Sequence, residues 1–293
     1  MALKIKVYMH PLSQPWALPH KAAMIKGMQR HGEKVEVVTE GQIAPGCDLT
    51  VTWGIRAAGA YDLHRQAGED VLVLEHGYMG DRKKWTSTVF NGLNGDGEVE
   101  VPRTVSRERF DKHFSHLLRP WRDVLPEAPV VLIGQVPGDA SLRRMENWED
   151  WYHATAKRIK DEMGAAVVFR PHPVRPQALP SGLKVAATPQ PLLEQLGGAR
   201  LAVAFNSNAL VESVLHGVPS VSFDRGGMAH DICLPGIMNT GHRLHFAAIE
   251  DAHADPTNRP DRMPWASRLA WCQWAVEEMA SGEAWEVLRQ RYA

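Results

Sequence analysis

The segment Val167-Val168-Phe169-Arg170-Pro171-His172-Pro173 puts two potential cations at the end of a β-branched run. The prolines lack a backbone donor and restrict the residue before them, so the strand is expected to stop there and hold Arg170 and His172 on a stiff turn. Ligands of open α/β sheets bind at the carboxyl ends of strands. A guanidinium and an imidazole at such an end could take a phosphate, although on their own they read equally well as a solvated terminator. Two other strand ends change that balance. Gly134-Gln135-Val136-Pro137-Gly138-Asp139-Ala140-Ser141 follows the apolar run Val130–Ile133; its glycines allow close backbone approach, while Gln135, Asp139 and Ser141 offer polar contacts. Phe205-Asn206-Ser207-Asn208-Ala209 passes straight from strand to helix, which leaves backbone N–H groups and the Ser207 hydroxyl facing the turn. Asn and Ser are also ordinary helix caps. In this order, the three loops together describe a nucleotide-phosphate cradle.

The elements that must carry these loops alternate. Residues 3–9 alternate as a strand, and Leu18, Ala22, Ile25 and Met28 then recur at helical spacing until Gly32. Strands are expected at Val35–Val38, Asp48–Gly54 and Asp70–Leu74, with a helix over 55–67. Residues 77–104, rich in Gly and Asn, are expected to form turns and short strands that reach into a cleft or carry an acceptor. Leu125-Pro126-Glu127-Ala128-Pro129 has the composition of a linker, and the alternation restarts after it. Helices are expected at 147–163, 190–197 and 207–216 and strands at 165–169, 182–186, 200–205 and 220–223. The tryptophan-rich segment 264–292 reads as one or two long helices whose rings serve packing. The pattern predicts an α/β fold with two Rossmann-type doubly wound domains facing a cleft, 1–125 and 126–263, and C-terminal helices 264–293 packing across. Such a cleft is common among nucleotide-sugar proteins, but a fold alone does not settle chemistry.

Composition narrows the partners. The 293 residues include 33 Lys plus Arg against 34 Asp plus Glu, a net charge of -1, so nothing pulls the whole chain toward nucleic acid or membrane. Local cations stand at Arg82-Lys83-Lys84, at Arg103, Arg107 and Arg109, and at Arg143-Arg144; most such runs are solvated faces. Cys47, Cys233 and Cys272 are too few and too scattered to imply a disulfide framework or a zinc site. The amino terminus lacks a signal-peptide pattern and no apolar run reaches about 18 residues, so a cytoplasmic protein with no membrane span is expected.

Several short motifs resemble the bacterial capsule-polysaccharide synthesis family, which includes the β-Kdo glycosyltransferases. They are Asp48-Leu49-Thr50-Val51-Thr52-Trp53-Gly54, then Leu74-Glu75-His76-Gly77-Tyr78 with Arg82 beyond. Gln135, Asp139 and Ser141 follow, then His172-Pro173, Asn206-Ser207, Glu212 and Gly217. The resemblance covers roughly residues 48–223. It implies a GT-B-type, metal-independent glycosyltransferase that holds a nucleotide-activated sugar in its second domain and an acceptor in its first. Mapped residue by residue, it implies that Arg170 and His172 bind the donor phosphate and that Asn206, Ser207 and Asn208 complete the cradle. Glu212 would meet a ribose or base hydroxyl, Gln135 and Asp139 would line the cleft near the sugar, and Ser141 would join the donor-binding residues. No essential cofactor is expected, and the donor, UDP- or CMP-linked, is a substrate.

One position departs from the family. Its Glu-Asp-Gly-Phe segment is Glu75-His76-Gly77-Tyr78 here, so a carboxylate mechanism at that position does not carry over. His76 could serve as the general base, because imidazole titrates near neutrality; Asp81 and Asp139 are the other candidates. The acceptor stays open between a saccharide and a hydroxymethylated base in DNA of the phage type. A nucleotide-sugar 2-epimerase and a non-catalytic nucleotide-sugar-binding protein are the competing readings.

Overall fold

The computed structural model describes residues 2–9, 15–39, 43–56, 59–173, 190–235 and 245–293. The strand expected at 182–186 lies outside them. The chain forms two compact units, Met1–Phe114 with Ala266–Ala293, and Ser115–Trp265.

The first unit opens with β1 (Lys4–Tyr8), where Ile5 and Val7 alternate into the core. Helix α1 (Leu18–Arg30) starts at a proline and ends before Gly32, whose φ of 80° is the left-handed region glycine tolerates. Strands β2 (Lys34–Val38) and β3 (Leu49–Trp53), helix α2 (Ala60–Gln66) and strand β4 (Asp70–His76) continue the alternation. The glycine-rich stretch supplies β5 (Trp85–Phe90), and α3 (Glu108–His113) ends this part of the chain.

In the second unit, β6 (Val130–Ile133), α4 (Trp148–Met163), β7 (Val167–Arg170), α5 (Leu192–Gly197), β8 (Leu201–Ala204), α6 (Ala209–Leu215) and β9 (Ser220–Ser222) alternate among the described residues. The short β10 (Leu234–Pro235) and α7 (Phe246–Ala254) follow. In sequence, α8 (Met263–Ala270) spans the boundary between the two units. After it come β11 (Gln273–Ala275), α9 (Val276–Ser281) and α10 (Glu283–Leu288).

The first sheet runs β11-β5-β4-β3-β1-β2. Strands β2, β1, β3 and β4 are parallel, and β5 is antiparallel to both β4 and β11. The second sheet, β10-β9-β8-β6-β7, is parallel throughout. Its strand order reverses between β6 and β8, as does that of the first sheet between β1 and β3, and such reversals are where open sheets leave a crevice. Each unit has its own core. Met24, Met28, Leu49, Phe90, Trp274 and Trp285 pack in the first, and Tyr152, Phe169, Phe205, Phe223 and Phe246 in the second. Side chains of this size contribute roughly 1.5–3 kcal/mol each when fully buried.

The structure differs from the sequence expectation in two places. Residues 115–125, read as part of the first domain, group with the second unit, where Arg119 and Arg122 donate backbone N–H bonds to Leu215 and Gly217. Residues 264–293 are not one or two long helices but short helices interrupted by β11. Gly282, at φ 94°, breaks the helical run between α9 and α10. Gly27 of α1 allows α9 to approach closely, because a Cβ there would overlap the Met279 carbonyl oxygen. Among the described residues, no helix is long and apolar enough to cross a membrane.

Candidate functional site

The loops after β7, β6 and β8 share one edge of the second sheet because those three strands are neighbours. Gly134 N–H donates to the Arg170 carbonyl at 2.7 Å, which ties the first two loops together. The turn after β6 is fixed from below by Tyr152 of α4. Its hydroxyl accepts from Gln135 N–H at 3.1 Å and donates to the Ile133 carbonyl at 3.0 Å, and burial raises its pKa well above the ordinary phenol value.

Gln135 and Asn206, both buried, meet at the reversal point. Gln135 Nε2 donates to Asn206 Oδ1 at 2.7 Å, and Gln135 Oε1 accepts from Asn206 N–H at 3.1 Å. Asn206 Nδ2 then donates to the Ser141 carbonyl and to Asp224 Oδ2, each at 2.7 Å. Asp224 is gripped by the Arg144 guanidinium at 2.6 and 2.8 Å. Burial pushes the Asp224 carboxyl up, but Arg144, Asn206 and the Gly226 N–H outweigh it and hold it below the ordinary value. The result is a prearranged polar strip from Arg144 to Gln135. Gly227 lies against the Asn206 backbone, where a Cβ would come within 3.2 Å of its Cα.

Arg170, the last residue of β7, is half-buried, and its guanidinium donates to the Gln190 carbonyl at 2.8 Å and to Gln195 Oε1 at 2.6 Å. Burial lowers its pKa, while the Glu212 carboxylate on α6 acts in the opposite direction. His172 is half-buried on the turn beyond it. The Ser207 hydroxyl accepts from Ala209 N–H at 3.3 Å, so it serves as a local cap. Asn208 stands at the N-cap position of α6 and makes no capping bond there. Asp139 is exposed and caps its own short helix, accepting from Ser141 N–H at 2.9 Å and from the Ser141 hydroxyl at 2.8 Å.

Of the residues singled out from the sequence, the structure therefore joins Gln135, Ser141 and Asn206 directly and brings Glu212 into the field of Arg170. It turns Asp139 and Ser207 to capping. Asp224 was not anticipated. Its only signal was its place just after a strand, like the other three loops.

In the first unit, His76 closes β4 on the face opposite Glu75. His76 Nδ1 lies 3.1 Å from the Arg82 carbonyl. A carbonyl can only accept, so Nδ1 carries the proton and Nε2 keeps its lone pair. Burial first, and then the Arg82 charge, lower the His76 pKa. The Trp53 indole lies 5.4 Å from the His76 ring and 5.4 Å from the His20 ring. His20 Nδ1 lies 2.5 Å from the Thr86 hydroxyl, and Thr86 is the cross-strand partner of His76. His20 and the buried Lys21, whose ammonium donates to the Tyr8 carbonyl at 2.7 Å, are polar residues that helical periodicity assigned to α1 without further role. Asp81 is exposed and caps the turn before β5, accepting from Lys83 N–H at 2.9 Å.

The fold of the chain has counterparts among solved structures. A β-Kdo 2,4-transferase, KpsC of Thermosulfurimonas dismutans, superposes with a TM-score of 0.58 at 16% identity over 92% of each chain. The β-Kdo 2,7-transferase KpsC of the same organism gives 0.58 at 14% identity over 98% of this chain and 99% of that one. The chain has the two-domain Rossmann-like fold of these transferases. No protein-family profile matches the sequence, and no curated protein matches it. The likeness to KpsC thus lies in the fold.

Proposed function

We propose that this protein is a glycosyltransferase that moves a sugar from a nucleotide-activated donor to an acceptor hydroxyl. The reciprocal Gln135–Asn206 pair at the reversal point of the second sheet, with the Arg170 cation one strand away, carries this reading. Amide groups locked at that point present fixed donors and acceptors to a nucleotide. Arg170 and His172 supply positive charge for its phosphate, and Glu212 meets a ribose or base hydroxyl. Ser141, Ser207 and Asn208 border the same edge. The KpsC fold supports the same chemistry, and the donor is a UDP- or CMP-sugar.

In the first unit, His76 Nε2 takes the acceptor proton as the hydroxyl oxygen attacks the anomeric carbon and the nucleotide leaves with the bonding electrons. The exposed Asp81 and Asp139 are tied up as caps, which favours His76 over either as the base. The acceptor is a saccharide, and the reaction needs no divalent metal.

The deciding experiment incubates the protein with a panel of UDP-, CMP-, GDP- and dTDP-sugars. Stabilisation is read for each, at about 2.7 kcal/mol for a donor present at 100 times its dissociation constant, and transfer to oligosaccharides is then measured with and without chelator. Stabilisation by one nucleotide class together with transfer supports the reading. Isomerisation of the donor without acceptor would instead make the protein an epimerase. Transfer to hydroxymethylated duplex DNA, with salt-sensitive binding, would move the acceptor to nucleic acid. A panel without response refutes the assignment.

A further inference from the structure

At the amino-terminal edge of the first sheet, far along β3 and β4 from Trp53 and His76, three side chains of different chemistry converge. Cys47 precedes β3, Glu69 precedes β4, and His64 comes from the α2 helix between them. Cys47 Sγ lies 3.2 Å from Glu69 Oε2 and 3.8 Å from His64 Nδ1, and His64 Nδ1 lies 2.5 Å from Glu69 Oε2. The Thr50 hydroxyl stands 2.8 Å from the same His64 nitrogen and 3.2 Å from the Cys47 sulfur.

From this convergence we infer that Cys47, His64 and Glu69 form a binding site for a zinc-type divalent transition ion. A thiolate, an imidazole and a carboxylate make a zinc-type ligand set and a poor one for magnesium or calcium, which prefer oxygen alone. Tetrahedral bonds of about 2.0–2.3 Å require ligand atoms about 3.3–3.7 Å apart. The two sulfur separations are already near that range, and the ion replaces the single His64–Glu69 hydrogen bond.

The surroundings are those of a metal centre. His64 is fully buried, and its other nitrogen, Nε2, lies 2.9 Å from the Tyr8 hydroxyl, which fixes the ring as outer partners of metal-bound histidines do. Glu69 Oε1, the oxygen not facing the cluster, accepts from Gly46 N–H at 2.5 Å and Cys47 N–H at 3.3 Å. Cys47 also borders an open pocket with Gly46, Lys6 and Glu36.

On binding, the Cys47 thiol releases its proton to water, and the His64 proton moves from Nδ1 to Nε2, where the Tyr8 oxygen accepts it. Thiolate and carboxylate together then neutralise the divalent ion, so no net charge is left in the half-buried site. Thr50 or a water takes the fourth position. Such an ion clamps β3, α2 and β4 together from the end opposite His76, so its role is structural.

The test uses the full chain after dialysis against chelator. Cobalt(II) should give a thiolate-to-metal charge-transfer absorption that saturates at one equivalent, and zinc should displace it and raise Tm. Cys47→Ser should abolish the band. Glu69→Gln and Tyr8→Phe should each weaken zinc binding by about tenfold or more, with circular dichroism confirming the fold. If folded wild-type protein gives no stoichiometric band, or if the band survives Cys47→Ser, the site is refuted and the cluster is a hydrogen-bonded lock alone.

Discussion

Gln135 and Asn206 satisfy each other with two hydrogen bonds, 2.7 and 3.1 Å long, across 71 residues of sequence. The pair bridges the ends of β6 and β8 before any ligand arrives. Asn206→Ala removes the acceptor of the Gln135 amide and the donor to Ser141 and Asp224, leaving buried polar groups unpaired at about 1–3 kcal/mol each. The urea midpoint of the variant should fall, and donor-nucleotide affinity should drop roughly tenfold or more by calorimetry. Unchanged affinity in a folded variant would remove the pair from the donor site.

Arg170 poses a sharper choice, because its guanidinium already holds Gln190 and Gln195. A charge-assisted bond to phosphate contributes about 1.5–3 kcal/mol, so Arg170→Ala should weaken donor binding roughly ten- to hundredfold. Arg170→Lys keeps the charge but loses the planar fork and should recover only part of the loss. If Tm falls in both variants while the dissociation constant holds, Arg170 is a strut.

His76 should leave its mark on the pH profile of turnover. Burial and Arg82 hold its pKa below the ordinary histidine value of about 6.5, so the neutral base persists into mildly acidic solution. The acid limb of kcat should lie below about 6.5 and move up in Arg82→Ala, where the opposing charge is gone. His76→Ala should depress kcat by about 100-fold and leave donor affinity intact. A profile unchanged by either substitution would exclude this imidazole as the base.

Acid sensitivity follows from the same cause. Burial lowers His20 and His76 in the first unit, and His216 and His253 in the second. Below about pH 6.5 the unfolded chain takes up protons that the folded chain does not, so stability is complete above that value and declines as pH falls beneath it. Urea midpoints measured at about pH 7.5 and 5.5 should differ with the lower one at acid pH, and each unit should contribute. A midpoint that stays level across this window would contradict the assigned burial of these rings.

The parallel strands were legible because they are short apolar runs rich in β-branched residues and punctuated by Gly, Pro and Asn, as in Val130–Ile133 and Leu49–Trp53. The C-terminal region was not. Trp265, Leu269 and Trp285 fall at helical spacing, yet Gln273-Trp274-Ala275 pairs with β5, a tertiary choice that local periodicity does not encode. Arg109 illustrates the same limit. Among Arg103 and Arg107 it read as part of a cationic patch, but it is buried, grips Glu278 at 2.6 and 2.7 Å, and lies 4.3 Å over the Trp274 ring. Arg107 pairs with the exposed Asp111 one turn on. Of the site, residues at strand ends were readable from position alone. Asp224, His20 and the Cys47–His64–Glu69 cluster depend on contacts between segments that no spacing rule connects.

Gln273 shows what that arrangement demands of the polypeptide. Its fully buried amide accepts from the Tyr78 and Met79 N–H groups at 2.6 and 2.9 Å and donates to the Met79 carbonyl at 3.1 Å, and its strand completes the first sheet. The segment Ser115–Trp265 is contiguous, whereas the first unit is assembled from two stretches and is incomplete without residues 266–293. The unit that opens the sequence is therefore the one that depends on a distant segment to be complete. A chain cut off before Gln273 should keep a protease-resistant second unit beside a protease-sensitive first one.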